Sequence, residues 1–173
     1  MDATLQVIIA TLSGFIVAFL ADPVKSFFQN NARRSRLRNA LYGEIASNYA
    51  CLENSPSLTP SKEFAHQVTT ALAEGFATGL RTECYRGALS QETLLFYELP
   101  EAPYINLIYS HVDSITKWAV LPHDKQIKQA ISHVVDDYLW LVQAATASNT
   151  LDKNLMNTIL KRLGISLPHK DGA

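Results

Sequence analysis

The chain has 173 residues, of which 47% are apolar and 18% charged, with a formal net charge of −1. This length fits one domain of ordinary size, and the apolar share is too low for a protein that crosses a membrane many times. Residues 23–38 hold five basic side chains and no acid, whereas residues 39–173 hold ten basic and fourteen acidic side chains, a net of −4. Such a domain is not a broadly basic nucleic-acid binder, so no long nucleic acid is expected as a partner.

The first predicted element is a transmembrane anchor over residues 1–22. Ala3 to Ala21 contain no charge and no proline and are apolar on nearly every face. Nineteen helical residues span about 28 Å, close to the ~30 Å hydrocarbon core of a bilayer. A buried helix of a soluble domain is rarely apolar all round at this length, and Asp2 stands where a cleaved signal peptide would carry basic residues. Both alternatives are therefore disfavoured.

A basic cluster directly follows the predicted anchor. Because basic loops stay in the cytoplasm, the cluster predicts a single-pass protein whose C-terminal domain is cytoplasmic. Its side chains also suit anionic lipid headgroups, an interpretation that we prefer to RNA binding. The residues assigned to this membrane interface are Lys25, Arg33, Arg34, Arg36 and Arg38.

Residues 23–54 are predicted to form a juxtamembrane basic segment that leads into a long helix ending at about Glu53. The dipeptide Asp22-Pro23 indicates either the start of this helix, with Asp22 as its N-cap, or a kink at the interface. The apolar residues of the predicted helix repeat every four positions and should share a buried face. They are Leu37, Leu41, Ile45 and Tyr49.

Residues 55–165 are predicted to form a cytosolic bundle of helices separated by prolines. After a loop, Thr59 should cap a helix with Phe64, Val68, Leu72 and Phe76 on one face. Ser90 should cap a short helix that ends at Leu99-Pro100. The next helix should begin near Pro103 and stop at Pro122, with one apolar side. That side comprises Tyr104, Leu107, Ile108, Ile115 and Trp118.

Two more helices complete the predicted bundle. Apolar residues alternately four and three apart predict the seam of a bundle helix, formed by Ile127, Ile131, Val134, Tyr138, Leu141 and Ala145. The last helix should run from Leu151 to Leu163 with Gly164 as its C′ residue, before a flexible tail at 166–173. The sequence therefore predicts an all-α protein, with one N-terminal transmembrane helix followed by a cytosolic helical bundle.

The usual catalytic signatures are absent from the sequence, which contains no glycine-rich phosphate loop, no H-E-x-x-H and no G-x-S-x-G. His133 and Asp137 can share a helix face, and a surface ion pair is favoured there because a metal site needs more ligands than two. Cys51 and Cys84 lie in no motif, and no base partner for Cys84 is evident. The protein is therefore not expected to be an enzyme, and no metal or cofactor is expected.

The stretch from Gly79 to Gly87 carries the candidate ligand site. Arginine binds phosphate through two hydrogen bonds, and tyrosine stacks on bases. Arg81 and Arg86 would hold phosphates and Tyr85 would stack on a base, although a solvated connection between helices is the slightly favoured alternative. The two arginines are about 140° apart on an ideal helix, so a shared ligand requires a break. Lys117 and Trp118 form a second candidate patch.

The layout also resembles a known family. The anchor ending Ala18-Phe-Leu-Ala-Asp-Pro-Val-Lys25, the run Leu37-Arg-Asn-Ala-Leu-Tyr-Gly-Glu-Ile-Ala-Ser-Asn48 and the overall size are similar to the small membrane-anchored ancillary effector of type III CRISPR systems. The resemblance implies a location in the bacterial inner membrane and a tetrameric cytosolic domain that senses cyclic tetra-adenylate and acts at the membrane. A tetramer would place one or two arginines per chain around the axis of a fourfold ligand, which is compatible with a negatively charged domain.

These observations lead to a main hypothesis and two alternatives. The main one is an antiviral signalling effector, a homo-oligomer whose helical domain binds a cyclic oligoadenylate and whose transmembrane helices then perturb the membrane. The first alternative is a membrane-anchored adaptor that docks a protein partner and binds no nucleotide. The second is a hydrolase with an unrecognised site.

Overall fold

All regular structure in the described part of the chain is helical, as the sequence predicts. The computed structural model describes residues 3–53, 79–119 and 125–165, including all side chains there except those of residues 3–22, 125 and 128. No strand occurs in these ranges. The helices are α1 (Ala3–Glu53), α2 (Glu83–Gln91), α3 (Thr93–Tyr97), α4 (Ala102–Ala119), α5 (Lys125–Ala147) and α6 (Lys153–Arg162).

Helix α1 has 51 residues and contains Pro23 in its interior. The helix therefore neither begins nor ends at Asp22-Pro23, although proline cannot donate the backbone hydrogen bond of that turn. One turn later the Ser26 hydroxyl donates to the Pro23 carbonyl oxygen at 2.9 Å. The chain divides into two compact units, residues 1–36 and 37–173, and the division falls within α1.

The side chains of the predicted anchor, Ala3 to Ala21, lie outside the described residues. Among the residues that the structure does describe, no helix has the length and apolar character needed to cross a bilayer. The predicted loop after Glu53, the predicted helix that carries Phe64 and the predicted tail at 166–173 also lie outside the described residues.

The second half of α1 supplies one wall of the hydrophobic core. Leu37 is 8% exposed, and Leu41, Ile45 and Tyr49 are fully buried, so the predicted buried face is confirmed. The predicted end at Glu53 is confirmed as well. Residues at four-residue spacing lie one above the other on a helix, which is why this pattern identified the face.

Helices α2 and α3 are short and differ from the prediction. Ser90 does not cap a helix, because it lies within α2 and its hydroxyl donates to the Gly87 carbonyl oxygen at 3.3 Å. The residue before α3 is Glu92, whose side chain makes no capping hydrogen bond. Helix α3 ends at Tyr97, two residues before the predicted end.

Helices α4 and α5 form the most extensive helix pair of the described chain. In α4, Tyr104 and Leu107 are 43% and 45% exposed, so the predicted apolar side is wrong for these two residues. Ile108 and Ile115, from the same predicted side, are buried. The side chains that α4 and α5 bury include Ile105, Ile108, Val112, Ile115, Ile131, Val135, Tyr138, Val142 and Ala145.

Helix α6 ends before Gly164 as the sequence predicts, but it begins at Lys153 and not at the predicted Leu151. The Asp152 carboxylate accepts the Leu155 amide at 3.0 Å, so Asp152 is its N-cap. Gly164 follows the helix with φ +77°. The Ile165 amide donates to the Leu160 carbonyl oxygen and the Gly164 amide to that of Lys161, which together make a Schellman motif.

Four fully buried tyrosines join the helices through their hydroxyl groups. Tyr138 donates to the Ile45 carbonyl oxygen at 3.0 Å, and Tyr49 accepts the Gln143 amide at 2.8 Å. The Tyr42 hydroxyl accepts the Asp152 amide at 2.7 Å. The fourth, Tyr109, binds Glu44. Because a buried hydroxyl without a partner is costly, these bonds specify how the helices meet as well as filling the core.

Candidate functional site

The segment before α2 is fixed to α1 by the side chain of Asn48. The Asn48 Nδ2 donates to the Arg81 carbonyl oxygen, and the Arg81 amide donates to Asn48 Oδ1, each at 2.8 Å. Asn48 is fully buried. One carboxamide thus satisfies both backbone groups of Arg81, which keeps the backbone of an irregular segment paired.

The start of α2 is fixed by Glu44, one turn earlier in α1. Its carboxylate accepts the backbone amides of Cys84 at 2.8 Å and Tyr85 at 3.2 Å, and the Tyr109 hydroxyl at 2.5 Å. Glu44 is 4% exposed. Free amides and the helix dipole favour negative charge at a helix N-terminus, so the Glu44 carboxylate occupies the position that an external anion would otherwise favour.

Tyr85 belongs to an aromatic cluster with α4. Its ring stacks on Tyr109 with centroids 4.1 Å apart and planes within 3°, and its hydroxyl donates to Asn106 Oδ1 at 2.8 Å. Phe96 meets it edge-on at 5.9 Å. Burial raises the pKa of the Tyr85 hydroxyl above its usual range. One ring face is therefore covered by Tyr109, and only the other face could meet a base.

The two candidate arginines are close in the chain but lie in different backbone environments. Arg81 precedes the first residue of α2, whereas Arg86 is inside that helix. The regular-helix angle between them therefore does not apply, and the break that a shared ligand requires is present. Arg81 is exposed. The Arg86 side chain is 72% exposed and lies 3.8 Å from the Asp113 carboxylate of α4.

The two residues of the second candidate patch differ in their exposure to solvent. Lys117 is exposed near the end of α4, whereas Trp118 is half-buried and packs against the core. No described contact joins this pair to Arg81, Tyr85 or Arg86. Tyr85 and Arg86 thus both contact α4, whereas Arg81 is bound to Asn48 of α1.

Among the residues assigned to the membrane interface, Arg38 has a different environment. Its guanidinium pairs with Glu101, lies 3.4 Å from the Asp152 carboxylate and stands 5.6 Å above the Tyr42 ring. Burial opposes its charge, but the hydrogen bond and charge of Glu101 prevail and raise the pKa of Arg38. Arg34 is partly buried, and the remaining members are exposed, namely Lys25, Arg33 and Arg36.

Within the described residues, nothing resembles a metal or nucleophile site. No group of three or more His, Cys, Asp or Glu side chains is placed to hold a metal there. His133 and Asp137 are both exposed. Cys51 and Cys84 are free and half-buried, and burial raises the pKa of both thiols. A thiol with a raised pKa is a poor nucleophile at neutral pH.

Sequence reasoning missed the roles of Glu44 and Asn48, although both stand in the quoted run Leu37–Asn48. A signal was available, because these polar residues share the helix face of Leu41 and Ile45. Polar groups on a core face require buried partners. Their partners here are backbone groups more than thirty residues away along the chain.

Comparison of the chain with protein-family models, with curated proteins and with solved structures finds no match. The run Leu37–Asn48 instead has a structural explanation in this protein. Leu37, Leu41 and Ile45 line the core, while Glu44 and Asn48 fix the entry to α2. A run of this kind describes how a domain is built, and it carries no ligand chemistry by itself.

Proposed function

We propose that this protein is a membrane-anchored signalling effector whose helical domain binds a cyclic oligoadenylate through Arg81 and Arg86. One observation carries the proposal. Glu44 and Asn48, which hold the backbone of residues 81–85, belong to the same helix whose first residues are the predicted anchor. A ligand on Arg81 and Arg86 would therefore bind beside the part of α1 that carries Glu44 and Asn48.

The arginine side chains are suited to a phosphate ligand because they are exposed while their backbone is fixed. Arg81 needs no backbone rearrangement, since Asn48 already satisfies its amide and carbonyl groups. The amides at the start of α2 are occupied by Glu44, so phosphate would meet guanidinium groups and not the helix terminus. Arginine forms strong charge-assisted bonds with phosphate oxygens.

The ligand would have to favour one arrangement of the protein over another. A bound molecule shifts a conformational equilibrium only through unequal affinity for the two states. In the proposed homo-oligomer, a tetramer by resemblance, each symmetric copy would present Arg81 and Arg86 to one shared ligand. Such a ligand binds best when the copies are gathered, and gathering them would reorganise the predicted transmembrane helices.

Ligand titration of the full-length protein in lipid nanodiscs tests the proposal. We expect cyclic tetra-adenylate to bind, and Arg81→Ala or Arg86→Ala to weaken binding about ten- to a hundred-fold, since a charged hydrogen bond is worth about 1.5–3 kcal/mol. Arg162→Ala, at an exposed arginine of α6, is the matched control. Circular dichroism should show equal helicity in all variants.

Two results would overturn this proposal. One is that the wild-type protein binds neither cyclic tetra-adenylate nor cyclic tri- or hexa-adenylate at micromolar concentration. The other is that Arg162→Ala changes binding as much as Arg81→Ala and Arg86→Ala do, which would indicate general attraction between charges and no specific site. Either result would favour the second candidate function.

The second candidate is a membrane-anchored adaptor that docks a protein partner. Its supporting observation is the pair of large apolar side chains on α3, Leu94 at 83% and Tyr97 at 59% exposure. Apolar side chains exposed to this degree on adjacent turns are typical of interaction surfaces. Leu94→Ser should abolish partner capture if the adaptor function holds and leave nucleotide binding unchanged if the effector function holds.

A further inference from the structure

The part of α1 that follows the predicted anchor exposes an apolar stripe. Val24, Phe27 and Phe28 are 49%, 61% and 66% exposed, and the two phenylalanine rings meet edge to face with centroids 5.9 Å apart. At 100° per residue, the three side chains fall within an arc of about 100° on one face of the helix. Exposed phenylalanine is costly in water, so this stripe needs an apolar environment.

The charge around the stripe identifies that environment. Lys25, Arg33 and Arg36 are exposed, and no acidic residue occurs between Asp22 and Glu44. On an ideal helix all three basic residues lie about 100–180° from Val24, beside or opposite the apolar stripe. An apolar face bordered by basic residues is typical of helices in the interface of an anionic bilayer.

We infer that Val24, Phe27 and Phe28 insert into the cytoplasmic interface of an anionic bilayer, and that this insertion sets the tilt of α1. A helix perpendicular to the membrane would give no face a preference, whereas tilting brings one face toward the acyl chains. The basic residues then reach the headgroups through their long side chains. This inference rests on the membrane anchor of the proposed function.

Tryptophan fluorescence in vesicles tests the inference. Full-length Phe28→Trp and Ser26→Trp proteins are placed in vesicles of phosphatidylglycerol with either brominated or ordinary phosphatidylcholine. Ser26 is a matched control because it is exposed, lies half a turn from Phe28 and points about 160° away on an ideal helix. The wild-type signal, from Trp118 and Trp140, is subtracted as background.

We expect brominated lipid to quench Phe28→Trp emission, which should also shift to the blue, while Ser26→Trp emission stays unquenched. Equal quenching of both would show that no face is preferred and would overturn the inference. Blue-shifted emission of Phe28→Trp without quenching would place the stripe against a second copy of the chain. Vesicle flotation separates these results from failure of the anchor itself. Protein that does not float with the vesicles overturns both the inference and the anchor.

Discussion

Glu44 shows how one buried charge can organise several elements. Its carboxylate binds two backbone amides at the start of α2 and the hydroxyl of Tyr109 in α4. A buried carboxylate is stable only when hydrogen bonds replace its lost hydration, and here three donors do so. The same residue therefore joins α1, α2 and α4, and it fixes where Cys84 and Tyr85 lie.

Glu44→Gln should destabilise the domain by about 1.5–3 kcal/mol, the usual worth of hydrogen bonds to a charged group. The amide keeps the shape of the side chain, but it removes the charge and places an NH2 group toward backbone donors. Urea unfolding followed by circular dichroism measures the change. Glu92→Gln, at an exposed residue without a capping bond, is the control and should unfold like the wild type.

The buried tyrosines predict how stability depends on pH. Burial raises the pKa of Tyr138, as it does that of Tyr109, for which the Glu44 bond adds to the effect. The folded protein therefore keeps the hydroxyl protons of both tyrosines at pH values where the unfolded chain loses them, since an ordinary tyrosine has a pKa of 10.0. The free energy of unfolding therefore keeps its full value below about pH 10. Above that pH it declines by about 1.4 kcal/mol per pH unit for each such tyrosine.

Tyr138→Phe should reduce the loss of unfolding free energy above pH 10 by the contribution of one titrating tyrosine. It should also cost about 1 kcal/mol at pH 8, because the hydrogen bond to the Ile45 carbonyl oxygen is lost. Denaturant unfolding between pH 8 and 11 measures both quantities. Tyr104→Phe, at an exposed ring, should leave the decline as in the wild type. An unchanged decline in Tyr138→Phe would contradict the assignment.

Among the helices, the sequence predicted the buried side chains best where a helix carries a single apolar face. The face Leu37–Tyr49 of α1 and the Gly164 closure of α6 are confirmed. Helices α4 and α5 each carry two adjacent apolar stripes, so periodicity could not choose between them. In α5 the structure buries Val135 and Val142 fully, whereas Val134 and Leu141, in the predicted seam, are only half-buried. Contacts with the neighbouring helices determine which of the two apolar stripes is buried.

The candidate site was predictable in its residue types and not in its geometry. Two arginines and a tyrosine between glycines identified the stretch. The stacking of Tyr85 on Tyr109 and the pairing of Arg86 with Asp113 depend on α4 lying beside α2. No local pattern contains that information, because the partners are more than twenty residues apart along the chain.

Alanine substitution of two glycines tests the backbone conformations that the structure assigns to them. Gly164 has φ +77°, a conformation that costs an L-residue about 1–2 kcal/mol, and a Cβ there would meet no neighbour. Gly87 lies within α2, and a Cβ there also meets nothing. Gly164→Ala should therefore destabilise the domain by about 1 kcal/mol, whereas Gly87→Ala should stabilise it by about 0.5–1 kcal/mol. Thermal unfolding measures both, and shifts of the same sign would contradict the assignments.

For the whole molecule, the basic residues after the predicted anchor divide into two sets. Lys25, Arg33 and Arg36 are exposed in the first compact unit, where they can act through charge alone. Arg38 lies in the second unit and holds Glu101, which is 1% exposed. Among the described residues the Oε2 atom of Glu101 has no hydrogen-bond partner, so the pairing of its Oε1 atom with Arg38 matters more to stability. One run of basic residues thus includes side chains that are predicted to set the membrane orientation and one side chain, Arg38, that forms an ion pair in the domain.

Replacing Lys25, Arg33 and Arg36 together with Glu should weaken the orientation that keeps the C-terminal domain in the cytoplasm, because the positive bias beside the anchor is lost. A C-terminal reporter that is active only in the periplasm measures this, and its activity should rise from near zero. Arg38→Glu is the matched control. It places a carboxylate beside Glu101 and Asp152, so it should unfold the domain and lower protein abundance without raising periplasmic activity. Periplasmic activity of the wild-type fusion would contradict the predicted topology, and with it the proposed access of the domain to a cytoplasmic nucleotide.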